Sequence, residues 1–557
     1  MKIHGFSLVI LLFMMACSEP EFDILIVNGT IYDGSGNPGI KADLGIKGDK
    51  ITAIGDLRDK TSKSTIDASG SAVAPGFINM LSWSTTSLIA DGKSQSDIRQ
   101  GVTLEVMGEG WSMGPWNEQM KKDAVEEQGD QKYDIEWTTL GEYLQFLEDK
   151  GVSTNIASFV GATTLRIHEI GFDNRPPTPE ELDRMKILVS EAMKEGAMGI
   201  GSSLIYAPAF YADTNELIEL CKVASEYNGM YISHMRSEGD YWMEAIDELI
   251  TIAAEADISA EIYHLKAGGQ QNWDKIDNAI AKIDSAREAG LNITTDMYNY
   301  IAGATGLDAS MPPWVQEGGY HQWVERLQDT EIRAKVLVEM QAKGDGWENL
   351  FFAAGSAENL LFSGFKNDSL KYLIGKTLQE VSVLRSTGPA ETIIDLVIQD
   401  GSRVETVYFL MSEENVRKQI KLPYMSFGSD ASSLAPEGDF LKFNPHPRAY
   451  GNFARLLGKY VREEHLISLE EAIYKLTKLP ASNLKIKNRG SLEIGNFADV
   501  IVFNPLTISD HATFDKPHQY ATGMIHVFVN GGHVLSDGEH TGATPGRFVK
   551  GPGYNLK

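Results

Sequence analysis

Cysteine is almost missing from this chain: Cys17 and Cys221 are the two among 557 residues, so no disulfide framework is available to hold the fold. Clusters of Lys and Arg are missing as well. With a formal net charge of −27 and no basic run, the chain lacks the positive patch that nucleic acid or an anionic membrane surface requires. The excess of acidic groups favours solubility instead. Apolar runs long enough to span a bilayer are also lacking, since the stretch from Phe6 to Met15 falls short of the ~20 residues a membrane helix needs. What is left is a long, acidic chain able to bury one large domain and a smaller one.

The first residues read as a leader. Lys2 precedes the apolar run, and Ala16-Cys17-Ser18 follows it, which resembles a bacterial lipoprotein signal. That resemblance implies cleavage after residue 16, lipid attachment at Cys17, and a periplasmic or outer-membrane location with the anchor as the one membrane contact. Met14 stands where such signals prefer Leu. Cys221 lies between Asn215 and Tyr227, where Leu217, Leu220 and Val223 recur at helical spacing, so it reads as a buried free thiol.

Both chain ends alternate as strands do. Ile24, Ile26, Leu44, Ile46 and Ile51 are separated by turn signals at Gly29 and Asp33-Gly34, and residues 490–535 repeat the pattern, with Gly490–Gly495 and Ala498–Phe503 read as short strands. Together they predict one small β-sandwich domain from residues 17–74 and 485–557. Between them, short apolar strands ending near Met107, Val160, Gly201, Ser233, Tyr263 and Thr295 alternate with helical segments. This alternation over residues 75–484 predicts an α/β fold, a (β/α)8 barrel of the TIM type, whose strand C-termini carry the chemistry. Residues 305–422 exceed one βα unit and read as a lid over that face.

Seven motifs follow one another in order: Ala74-Pro75-Gly76-Phe77-Ile78, Gly101-Val102-Thr103, Tyr231-Ile232-Ser233-His234-Met235-Arg236, Tyr263-His264-Leu265-Lys266, Asp296-Met297-Tyr298-Asn299-Tyr300, Gly428-Ser429-Asp430 and His446-Pro447-Arg448-Ala449-Tyr450-Gly451. This ordered set resembles the D-aminoacylases, N-acyl-D-amino-acid deacylases of the amidohydrolase superfamily, over nearly the whole chain. The resemblance implies a barrel with a small β-domain and metal-assisted amide hydrolysis.

The chain departs from the family where the first barrel strand should end in His-x-His, because Leu81, Ser82 and Trp83 stand there. Neither Leu81 nor Trp83 can ligate a metal. His234 and His264 each close a predicted strand, so their imidazoles converge at the top of the barrel and read as ligands of one cation; either alone would pass for a hydrogen-bonded core histidine. The family cysteine of Gly-Asn-Cys-Gly is replaced by Gly108-Glu109-Gly110-Trp111, which makes Glu109 the candidate third ligand, or else a turn glutamate held by backbone amides. By resemblance, Asp430 shuttles the proton, Arg448 binds the substrate α-carboxylate with paired donors, and Tyr298, Lys266 and Tyr206 face the substrate. Ala162 and Ala304 replace a family histidine and serine, which implies an altered substrate preference.

These residues point to a hydrolase of N-acyl-D-amino acids, or of dipeptides ending in a D-residue, with one divalent ion, zinc first, at Glu109, His234 and His264. A second reading is a degenerate barrel that binds such ligands without cleaving them. A third, cyclic-amide hydrolysis, is weaker, because no lysine follows the second or third strand to bridge two metals.

Overall fold

The computed structural model of the protein describes residues 19–554; the leader and Cys17 lie outside them. Eight strands run parallel through the middle of the chain: β1 Phe77–Asn79, β2 Val102–Met107, β3 Asn155–Ser158, β4 Gly199–Ser203, β5 Met230–His234, β6 Ser259–Ile262, β7 Ile293–Met297 and β8 Met425–Phe427. Pairing is continuous from β1 to β3 and from β4 to β8. Hydrogen bonds also join these two runs at both edges, from Met80 N to Phe427 O (3.1 Å) and from Met198 N to Ser158 O (2.9 Å). The fold is therefore α/β, with strands that read as apolar runs because they are covered on both faces; β5, Met-Tyr-Ile-Ser-His, is buried throughout.

The helices between strands follow from local signals. Pro179–Glu195 starts at Thr178, whose hydroxyl accepts from Glu181 N while the Glu181 carboxylate accepts from Thr178 N, and Pro179 fills the first helical position. Gly196, in the left-handed region, ends it. Met185, Val189, Ala192 and Met193 form its buried stripe, and full burial of a methionine or valine is worth about 1.5–3 kcal/mol. Loss of the Thr178 cap would cost about 1 kcal/mol. The helix Thr214–Glu226 buries Cys221 as a free thiol.

Two antiparallel-rich sheets are built from the chain ends. One contains Phe22–Val27, Asp43–Lys47, Lys50–Gly55 and Ser62–Asp67; the other interleaves Thr30–Ile31 and Ala72–Pro75 with Val500–Phe503, Met524–Val529 and Gly532–Ser536. Ile26, Ile46, Ile66, Val73, Val500 and Phe528 share one core between them. Residues 490–495 are turns rather than the expected strand, because Gly495 needs a positive φ of 96° and the backbone bonds only singly, Leu492 N to Asp33 O and Gly495 N to Ile51 O. The last residues also leave this unit. Val549 N donates to Ile156 O and Gly551 N to Gly196 O, so the tail runs beneath the barrel-type strands.

The long insertion carries its own antiparallel sheet, Ala302–Gly306, Glu405–Phe409 and Leu360–Gly364, and its own core around Leu307, Trp323, Leu360, Phe362, Ile394 and Tyr408. Its end differs from the expected 422: Val416, Ile420 and Leu422 pack into the main core instead, since the helix Glu413–Ile420 turns its apolar side toward the strands. Among the described residues no helix is long and apolar enough to cross a membrane.

Candidate metal and substrate site

Glu109, His234 and His264 converge beyond the C-terminal ends of β2, β5 and β6. His234 Nδ1 and His264 Nε2 each lie 3.0 Å from Glu109 Oε1, and all three side chains are buried. One carboxylate oxygen and two imidazole nitrogens within 4.8 Å of one another form a donor set of the kind zinc takes. The Glu109 carboxylate is directed at imidazoles rather than at backbone amides. His264 has a φ of 35° and Asp430 one of 48°, a left-handed backbone that such residues adopt at some local cost and that tends to occur at functional sites. Asp296 secures the first of these by accepting from His264 N at 2.8 Å.

Glu238, which sequence reasoning passed over, lies behind the imidazoles. Its Oε1 is 2.9 Å from His264 Nδ1 and accepts from Lys266 Nζ at 2.6 Å, and its Oε2 is 3.6 Å from His234 Nε2. A carboxylate on the far nitrogen of a ligand imidazole fixes the ring and raises its basicity. No sequence signal marks Glu238, because the residues after His234 form a loop without helical spacing. Burial opposes charge here, yet Lys266 and the imidazoles hold Glu238 well below the usual carboxylate range, and the two imidazoles do the same for Glu109. Against burial and Lys266, the two carboxylates push His264 up to about 10. The pocket thus demands positive charge.

Asp430 stands next to this cluster. Burial raises its pKa and Glu109 adds to the rise, while Arg448 opposes it, a balance suited to a group that takes and returns a proton. Arg448 Nη1 is 2.9 Å from Asp430 Oδ2, without hydrogen-bond geometry, and both Nε and Nη1 are buried with no acceptor. Its guanidinium is 4.3 Å from the Tyr298 ring centroid. His446 orients the Arg448 backbone, accepting from Arg448 N through Nδ1 (3.0 Å) and donating from Nε2 to Ala302 O (2.9 Å); burial and Arg448 keep it neutral.

Tyr298 and Tyr206 flank the imidazoles, at 6.2 Å from the His264 ring and 5.3 Å from the His234 ring. Lys266 lines the same cavity as His264 and Tyr298 and is tied to Glu238 and to His264 Nδ1 (2.7 Å). Trp83, which cannot ligate a metal, serves as a donor: its Nε1–H is shared between Glu109 Oε2 (3.0 Å) and Asp430 Oδ1 (3.1 Å). Leu81 is fully buried.

Known proteins resemble this chain over nearly its whole length. The amidohydrolase family model matches residues 424–535. D-aminoacylase of Alcaligenes xylosoxydans xylosoxydans is 33% identical over 536 residues, spanning 96% of this chain and 98% of the relative. A solved D-aminoacylase, with a binuclear metal centre showing one-metal activation and second-metal attenuation, superposes with a TM-score of 0.78 at 30% identity, covering 95% of this chain and 100% of that one. N-acyl-D-glutamate deacylase of Bordetella bronchiseptica, solved with zinc and a phosphonate mimic of the tetrahedral intermediate, has a TM-score of 0.78 at 28% identity, covering 95% and 99%.

Proposed function

Because the chain belongs to the D-aminoacylase family of the amidohydrolase superfamily, we propose that it hydrolyses the amide bond of N-acyl-D-amino acids or of dipeptides ending in a D-residue. The observation that carries this reading is the convergence of Glu109, His234 and His264 beside Asp430 and its ion-pair partner Arg448, whose Nε and Nη1 make no hydrogen bond. Glu109, His234 and His264 would hold one divalent ion, zinc first, and the activation of a relative by one metal supports that count. Bound there, such an ion would supply Lewis acidity toward the acyl carbonyl and toward water. Asp430 accepts the proton from the attacking water and returns it to the leaving amine, which leaves as the free D-amino acid. Arg448 pairs with the α-carboxylate, a planar two-donor match, and Tyr298 backs the guanidinium.

We read the parallel strands as a (β/α)8 barrel and the two terminal sheets as a β-sandwich, on the strength of the edge hydrogen bonds and the shared apolar core described above. The leader further suggests a lipid-anchored protein of the periplasm or outer membrane; absence of lipid on Cys17 by mass spectrometry of the membrane fraction would rule this out.

The test is elemental analysis of the dialysed protein together with a panel of N-acyl-D- and N-acyl-L-amino acids. About one metal per chain and turnover confined to the D-series are expected. His264→Ala with unchanged metal content and turnover would sink the assignment. Binding of the panel with no product from any member would favour the reading as a non-cleaving binder, which the missing His-x-His pair motivates.

A further inference from the structure

The Trp83 indole stands where a first-strand histidine is expected, and its single N–H faces two carboxylates at once. Glu109 Oε2 lies 3.0 Å away and Asp430 Oδ1 3.1 Å. This placement is fixed by the backbone, because Asp430 N donates to Leu81 O (2.9 Å) and Trp83 N donates to Ala431 O (3.1 Å), so residues 81–83 and 430–431 are joined edge to edge. The rest of the pocket offers no replacement ligands. Leu81 is buried among apolar side chains, Ser82 Oγ points away to donate to Glu105 (2.7 Å), and Glu109, His234 and His264 are the one cluster of metal-type donors among the described residues. Two carboxylate oxygens alone fall short of the three or four protein ligands a zinc site uses.

We propose that the Trp83 N–H takes the place of a second cation, bridging Glu109 and Asp430, so that the chain is limited to one metal and Asp430 is held in register for proton transfer by a neutral donor. Trp83 is then a positioning residue, acting through Asp430 and Glu109. The idea rests on the deacylase reading, but its metal-count readout does not depend on turnover. A neutral donor suits the task because it orients the carboxylate while lowering its basicity less than a divalent ion would.

The experiment compares wild type, Trp83→Phe and the double variant Leu81→His/Trp83→His. Each is titrated with zinc to saturation, dialysed and counted by elemental analysis, and kcat and KM are measured on the best N-acyl-D-amino acid. Wild type is expected to stay at one zinc per chain. Trp83→Phe, which keeps the ring and loses the donor, is expected to keep that zinc and its KM while kcat falls about tenfold or more, as for loss of a hydrogen bond to a charged group. The double variant is expected to hold two. Wild type at two zinc ions, Trp83→Phe at full kcat, or a folded double variant that stops at one would each overturn the proposal. If wild type holds one zinc and is active while Trp83→Phe is unimpaired, this inference falls and the deacylase reading stands. A wild type with neither zinc nor turnover removes both. Should the double variant not fold, the wild-type count and Trp83→Phe still decide.

Discussion

Glu238 lies against Lys266, His264 and His234, and a single atom of it touches both His264 Nδ1 and Lys266 Nζ. Replacing it with Gln should leave the three ligand atoms in place but remove the carboxylate charge that faces His264 Nδ1, and metal affinity should fall about 10–100-fold; competition against a chelating dye measures this. Arg448→Lys retains charge and loses the planar pair of donors. KM for an N-acyl-D-amino acid should rise at least tenfold with kcat less affected, in steady-state kinetics, and an unchanged KM would remove Arg448 from carboxylate binding. At this scale sequence was a partial guide. His234, His264 and Asp430 stand out because strand-terminal polar residues in an apolar run have few other uses. Glu238, inside Arg236-Ser237-Glu238-Gly239, looks like any surface loop, since nothing local reveals that the loop folds inward onto β6. Trp83 was correctly set aside as a metal ligand, but its role as a donor to Glu109 and Asp430 was not visible, because only the fold brings those two carboxylates to its N–H.

Glu348 ties the insertion to the loop behind the imidazoles. Glu348 Oε2 accepts from Glu238 N (2.5 Å) and Gly239 N (3.2 Å), latching the insertion onto the loop that carries Glu238. Burial, reinforced by the neighbouring Glu238 charge, pushes Glu348 up to about 7. A carboxyl harder to ionise in the folded chain than in the unfolded one contributes stability that is present below about pH 4.5 and is lost as pH rises toward 7. Glu348→Gln has no such loss. The melting temperature of the variant minus that of wild type should therefore increase between pH 5 and pH 8, and a flat difference would show that Glu348 titrates normally. The element boundaries tell a related story. The insertion was visible as excess length, but its end was placed too late, because only contact reveals that Val416 and Ile420 belong to the main core.

Over the whole molecule, the alternation of short apolar strands and amphipathic helices made the α/β class readable, since each strand is covered on both faces and each helix on one. The route of the last residues was not readable. Residues 542–554 contain few apolar side chains, and their role is mainly backbone pairing with Val152, Ile156 and Gly196, plus burial of Phe548 and Val549. Deleting them should lower stability by about 3–5 kcal/mol, seen in denaturant unfolding, with kcat unchanged below the transition because these contacts are at the opposite ends of the strands from the site.

One sheet places Ala72–Pro75 against Val500–Phe503, so a strand made early waits for one made almost last. During vectorial synthesis Ile31 and Val73 have no β-partner from the far end of the chain until nearly the entire polypeptide has emerged, and pairings so distant in sequence form slowly. A chain cut short before Val500 therefore keeps an open, apolar strand edge, the kind of surface that chaperones and proteases recognise. The closing of that sheet acts as a check on completeness, which a truncated product cannot pass.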